Sequence, residues 1–128
     1  PQAKENTRQY IDQHMVVAQK YRKPIVLEEF GFPRDGFQFS KTAPTTARDA
    51  YYSYVFDLIR QQRESGGLFA GCNFWAWGGF AEQKPGHVYW EKGDDYTGDP
   101  AQEKQGLNSV YANNSTVDII KTENEKLQ

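Results

Sequence analysis

Between Thr7 and Tyr21 the apolar side chains Tyr10, Ile11, Met15, Val17, Ala18 and Tyr21 recur at helical spacing, and Pro24 ends the pattern. This spacing predicts an amphipathic helix. In KPIVLEEFG the pattern changes to a short β-branched and apolar run between Lys23-Pro24 and Gly31, which predicts a strand buried on both faces. A polar, Phe-containing loop follows. A second helix is predicted from about Thr46, where Thr46 and Asp49 have capping-box spacing. Its apolar stripe is Tyr51, Tyr54, Val55, Leu58 and Ile59, and Gly66-Gly67 supply the stop. A second apolar strand, LFAGCNFWAW, comes next. Residues 78–106 read as one loop rich in Gly, Asp and aromatics, longer than a bare connection in a compact domain and therefore a candidate for function. The last helix starts at Ser115, with Asp118 three residues on and Val117, Ile120 and Leu127 as a modest apolar face.

Strands that alternate with helices imply parallel βα units, and no linker or low-complexity segment divides the chain. Two strands cannot make a sheet covered on both faces, so both need neighbours. The chain has 128 residues, about half of what a (β/α)8 barrel takes. The expected fold is therefore α/β: the C-terminal segment of a (β/α)8 TIM barrel, about the last two βα units with the preceding helix, N-terminal strands missing. The opening PQAKENTRQ has neither a start Met nor a signal peptide, which fits a processed or truncated product.

Charge and composition remove several functional classes. The 15 basic and 17 acidic residues are interspersed, giving a net charge of −2 and no basic face for nucleic acid or anionic lipid. No apolar run approaches the length of a membrane span, and no P-loop or dinucleotide fingerprint occurs. A single cysteine, Cys72, excludes an internal disulfide; inside a strand with no His near it in sequence, it reads as a core thiol rather than a nucleophile. Aromatics make up 15% of a chain whose mean hydropathy is −0.84, more than one core uses. Exposed Trp and Tyr serve both sugar stacking and protein interfaces.

The candidate chemistry lies at the strand ends. A period of two in KPIVLEEFG puts Ile25, Leu27 and Glu29 on one face and Val26, Glu28 and Phe30 on the other, so one glutamate faces the barrel lumen. Barrel enzymes carry catalytic groups at the C-terminal ends of strands, which favours Glu29, beside an aromatic and a Gly that opens a loop; Glu28 reads as strand-end solvation. The Lys-Pro, β-run and Glu-Phe-Gly, followed by the Asn-Phe-Trp strand, resemble glycoside hydrolase family 5, and most nearly its endo-β-1,4-mannanase members. The tail DDYTGDPAQEKQGLNSVY extends the similarity, which runs from about residue 7 onward.

The resemblance implies that residues 1–128 are part of one catalytic barrel of a retaining glycoside hydrolase. The implied activity is that of an endo-β-1,4-mannanase on mannan-type plant polysaccharide, secreted or at the cell surface. It implies Glu29 as nucleophile and Trp75 as the floor under the sugar at the cleavage point, with Trp77 as second candidate. A retaining site needs a second, protonated carboxyl roughly 5 to 5.5 Å from the first. In the family that acid/base Glu follows an Asn. No Asn-Glu-Pro occurs here and Asn124-Glu125 falls in the last helix, so the partner is expected from the remaining N-terminal part of the barrel and the isolated chain is expected to be inactive. A β-glucanase- or cellulase-like member of the family, or a noncatalytic carbohydrate-binding fragment, are the alternatives.

Other residues carry weaker signals. Trp77 and Trp90 fit sugar stacking or loop packing equally. Arg34 and His87 are candidates for contacts to sugar hydroxyls, while Phe32, Phe37 and Phe39 more simply cap the barrel. Asp94, Asp95 and Asp99 invite calcium, but their spacing is not that of an EF-hand and turn chemistry is preferred. His14 and His87 lie too far apart in sequence for a zinc pattern, and no cofactor or metal is called for. Asn113-Asn114-Ser115-Thr116 contains two overlapping glycosylation sequons.

Overall fold

In a computed structural model of the protein, which describes residues 1–127, helix α1 (Gln2–Tyr21) leads into strand β1 (Ile25–Phe30). A 3-10 turn (Asp35–Phe37) separates β1 from helix α2 (Thr46–Glu64), which returns to strand β2 (Phe69–Phe74). Two short strands, β3 (Trp77–Gly79) and β4 (Val110–Tyr111), bracket the long loop, and helix α3 (Ser115–Glu125) closes the order. β1 and β2 pair in parallel, as a βαβ crossover requires, with Ile25 opposite Phe69 and Phe30 opposite Phe74. β3 and β4 form a second parallel pair that the apolar pattern does not reveal, because two or three residues are too few for a period to register.

α1 starts at Gln2, about two turns before the first apolar position of its stripe, Tyr10, and the buried stripe is narrower than expected. Ile11, Met15 and Ala18 are buried, whereas Tyr10, Val17 and Tyr21 are exposed. The helix ends on Arg22 in the left-handed region, whose N–H reaches the carbonyls of Ala18 and Gln19. α2 packs on more than one side and so buries more than the expected stripe. Tyr52, Val55, Phe56, Leu58 and Ile59 are buried, while Tyr51 and Tyr54 lie half-buried at the margin. Leu58 and Ile59 meet α1 and Phe69, while Tyr52, Val55 and Phe56 meet Phe30, Val110 and the α3 residues Val117, Ile119 and Ile120.

The expected capping box at Thr46 and Asp49 does not form. Asp35, across the loop, accepts from the N–H of Thr46 at 3.0 Å and of Ala47 at 2.9 Å. These bonds hold its carboxyl below the usual range. Asp49 instead ties α2 to α3, accepting from the hydroxyls of Ser115 and Thr116.

The loop between β3 and β4 has almost no regular structure, yet buried polar side chains fix it. Arg48 is 0% exposed and donates to the carbonyls of Phe32, Leu107 and Ser109. Asp99 accepts from the N–H groups of Gly106 and Asn108 and from the Ser109 hydroxyl. Gln105 takes a bond from the Thr97 hydroxyl and gives its amide to Pro100. Backbone groups that a loop would otherwise leave unpaired on burial are thus satisfied by side chains.

Candidate active site

The C-terminal ends of β1 and β2 meet side by side. The Trp75 N–H donates to the Phe30 carbonyl at 2.7 Å, and a Cβ placed on Gly31 would stand 2.6 Å from the Trp75 carbonyl oxygen. Gly31 is therefore the residue type that lets the two strand ends close on each other. Glu29, one residue before Phe30, and Trp75, one after Phe74, come to neighbouring positions at the rim. Tyr52, whose hydroxyl burial keeps protonated, aims at the Trp75 carbonyl from beneath at 3.4 Å.

The strict alternation expected along β1 breaks at the glutamates. Leu27 and Phe30 pack into one core cluster with Tyr52, Val55 and Phe56, although a period of two separates them. The register with β2 shifts between these two residues, Glu29 takes a left-handed φ of 52°, and Glu28 and Glu29 are both exposed. The strict period of two does not hold across the glutamates: the register shift and the positive φ interrupt it, and both acids lie at the surface of residues 1–127. Glu28 accepts from the Asn73 amide at 2.8 Å, bridging β1 to β2; Glu29 stands beyond that bridge. A positive φ at a residue other than Gly, Asn or Asp is uncommon and gathers at functional positions.

The remaining candidates separate. Trp75 is half-buried at the strand end, and Trp77, on β3, is 53% exposed. Trp90 and His87 lie on the long loop. The Trp90 ring stacks on Tyr96 and its Nε1 donates to the Asp94 carbonyl; His87 Nδ1 lies 2.9 Å from the Asp94 carboxylate. Arg34 is not available to substrate, and that expectation is corrected. It is 1% exposed, and its guanidinium donates to the carbonyls of Gly106, Ala43 and Ser109 and to Asn114 Oδ1. Desolvation, and next the charge of Arg48, lower its pKa to about 10, which leaves it cationic at neutral pH.

A sequence profile of family 5 glycoside hydrolases, described as β-mannosidase-like, matches residues 1–128. The chain belongs to glycoside hydrolase family 5. Among solved structures it is similar to the family 5 mannosidase of Rhizomucor miehei, with 35% identity and a TM-score of 0.86 over 99% of this chain and 32% of that one. A variant of that enzyme solved in complex with mannosyl-fructose gives the same values. No curated protein matches. The chain spans about a third of its structural relatives' length and is a segment of the (β/α)8 barrel, as the strand and helix order implies.

Within this family 5 segment the acidic loop behaves as turn chemistry. Asp94 takes bonds from His87 and Lys84, which hold its carboxyl well below the usual range. Asp95 accepts from the Glu82 N–H and Asp99 from the donors named above. Among the described residues no group of three His, Cys, Asp or Glu side chains is placed to hold a metal ion, and no helix is long and apolar enough to cross a membrane. The Cys72 thiol, packed against both core clusters, is pushed by burial to about 12 and stays protonated. Sequence reasoning read Gly31 as the residue that opens the loop but not its close approach to Trp75, and it passed over Asn73 and Tyr52. The Glu-Phe-Gly string was the available signal for Gly31; nothing local announces the other two.

Proposed function

We propose that this chain supplies the nucleophile side of a retaining β-mannoside hydrolase, with Glu29 as the attacking carboxylate. The observation that carries this reading is the bulge at the end of β1, which exposes Glu29 beside Trp75 in a family 5 segment. Glu29 attacks the anomeric carbon while a carboxylic acid from the rest of the barrel protonates the departing glycosidic oxygen as the C–O bond breaks. Water, deprotonated by that same group, then hydrolyses the glycosyl ester and frees Glu29. Trp75 floors the reacting sugar, Asn73 and Glu28 brace the strand ends behind it, and Trp77, Trp90 and His87 contact further units of the glycan.

The substrate we favour is β-1,4-mannan cleaved internally, on the strength of the mannanase-like motifs, and a polymeric substrate favours an enzyme working outside the cell. Removal of single mannose units from chain ends is the second reading, favoured by the β-mannosidase-like family profile. Residues 1–128 then form one part of a single catalytic domain.

The test is hydrolysis of β-mannan, β-glucan and an aryl β-mannoside by the full-length protein and by its Glu29→Ala variant. Mannan cut to mixed oligosaccharides, with activity reduced by about 10⁴-fold or more in a folded variant, supports the endo reading. Release of mannose alone moves the exo reading forward. No hydrolysis of any mannoside, or activity that survives Glu29→Ala, overturns the proposal.

A further inference from the structure

The loop after β3 carries an aromatic pair whose rigidity the fold alone does not require. The rings of Trp90 and Tyr96 are stacked, with centroids 5.5 Å apart and planes 10° from parallel. Tyr96 is nevertheless 81% exposed, so one face of its ring lies on Trp90 and the other is open to solvent. Three bonds hold the supporting ring and its surroundings. Trp90 Nε1 donates to the Asp94 carbonyl at 3.2 Å. The Asp94 carboxylate is itself held by His87 Nδ1 and by Lys84 Nζ, each at 2.9 Å. The loop's base is closed by the Gln105 N–H to the Val88 carbonyl and by the buried Thr97–Gln105 bond. An exposed tyrosine thus stands stacked against a ring that the loop's own bonds hold in place.

We propose that Tyr96, backed by Trp90, is a stacking platform for a pyranose unit of the glycan chain, separate from the Trp75 floor at the cleavage point. This rests on the proposed reading that the chain works on a β-linked mannan. The C–H-rich face of a pyranose lies flat on such a ring, and a ring already oriented loses little rotamer freedom on binding. The open face is about one ring wide and is bordered in sequence by the exposed, charged Glu91, Lys92 and Asp95. That is far below the area a stable protein interface buries and of the size of one sugar. The His87 ring, one-third exposed, is braced on both nitrogens, with Nδ1 at the Asp94 carboxylate and Nε2 3.9 Å from Glu91.

Binding and turnover of the full-length protein are measured with wild type, Tyr96→Ala and Tyr96→Phe, using retardation in native gels containing soluble galactomannan together with kinetics on mannan and on a short aryl β-mannoside. Tyr96→Ala is expected to weaken galactomannan binding and raise KM for mannan by about tenfold, the equivalent of one good aromatic contact. The short substrate should be unaffected, and Tyr96→Phe should bind as wild type does. A folded Tyr96→Ala protein that binds and turns over mannan as wild type does overturns the platform and leaves the hydrolase reading standing. A wild type that hydrolyses no mannoside but binds galactomannan in a Tyr96-dependent way has the opposite meaning: the platform stands and the hydrolase reading falls.

Discussion

The rim formed by β1 and β2 and the loop between β3 and β4 both gather charge and aromatic rings, yet they use them in opposite ways. At the rim the backbone is tightly fixed, through the Trp75–Phe30 bond and the close approach at Gly31, while the carboxylates of Glu28 and Glu29 stay at the surface. In the loop the backbone is irregular, and the charged groups of Arg34, Arg48 and Asp99 are buried to hold it. The difference teaches that a charged residue near an active site is catalytic only if the fold leaves it unoccupied. Regular structure satisfies its own backbone and frees side chains for chemistry. Irregular structure consumes side chains to satisfy its backbone.

Removing a buried cation that holds the loop has the largest expected effect. Arg48→Met takes one donor each from the carbonyls of Phe32, Leu107 and Ser109 and is expected to cost about 3–5 kcal/mol, on the order of 1.5 kcal/mol for each charge-assisted bond lost, read from the denaturation midpoint of the full-length protein. An unchanged midpoint means that the loop is not held this way. At the rim a smaller chemical change should disturb function more than stability. Gly31→Ala sets a methyl 2.6 Å from the Trp75 carbonyl oxygen; we expect kcat to fall on the order of 10²-fold, the scale of an ångström misplacement at a reacting centre, with a far smaller shift in melting temperature than Arg48→Met gives. A kcat within twofold of wild type would show that the close approach is incidental.

Cys72, under the rim, gives the mildest effect. With its thiol pushed from 9.0 to about 12, the thiolate fraction at pH 9 is lower by roughly five-hundredfold than in an ordinary cysteine, so iodoacetamide should label the denatured chain and spare the native one. Linkage fixes the sign. Below pH 9 both states keep the proton and stability does not depend on this group; between 9 and about 12 the unfolded chain gives it up first and stability declines. Rapid labelling of the native protein would contradict the burial.

Helical spacing made α1, α2 and α3 legible, and short apolar runs bounded by Lys-Pro and glycines made β1 and β2 legible. Periodicity failed where a single residue changes the frame. The strict alternation placed Glu29 with Leu27, whereas the bulge sets Leu27 and Phe30 together and exposes both acids. The identity of Glu29 as the candidate survived because the Glu-Phe-Gly string and its place at a strand end point to it whatever the register. Arg34 misled for a different reason. A cation a few residues past the candidate nucleophile resembles a substrate ligand, and the carbonyls it serves, at Gly106 and Ser109, lie some seventy positions later in the chain. Shorter separations, 45 positions between Glu28 and Asn73 and 11–12 between Asp35 and the first turn of α2, still lie beyond a local reading of either pair.

The most direct test of the central claim is to trap the glycosyl-enzyme. The full-length protein is incubated with an activated 2-deoxy-2-fluoro-β-mannoside, whose fluorine slows breakdown of the ester, and the labelled peptide is located by mass spectrometry. A stoichiometric adduct is expected on the peptide of β1, with fragmentation assigning it to Glu29. An adduct on Glu28 or on any other residue, or turnover of mannan with inversion and no adduct, would contradict that claim.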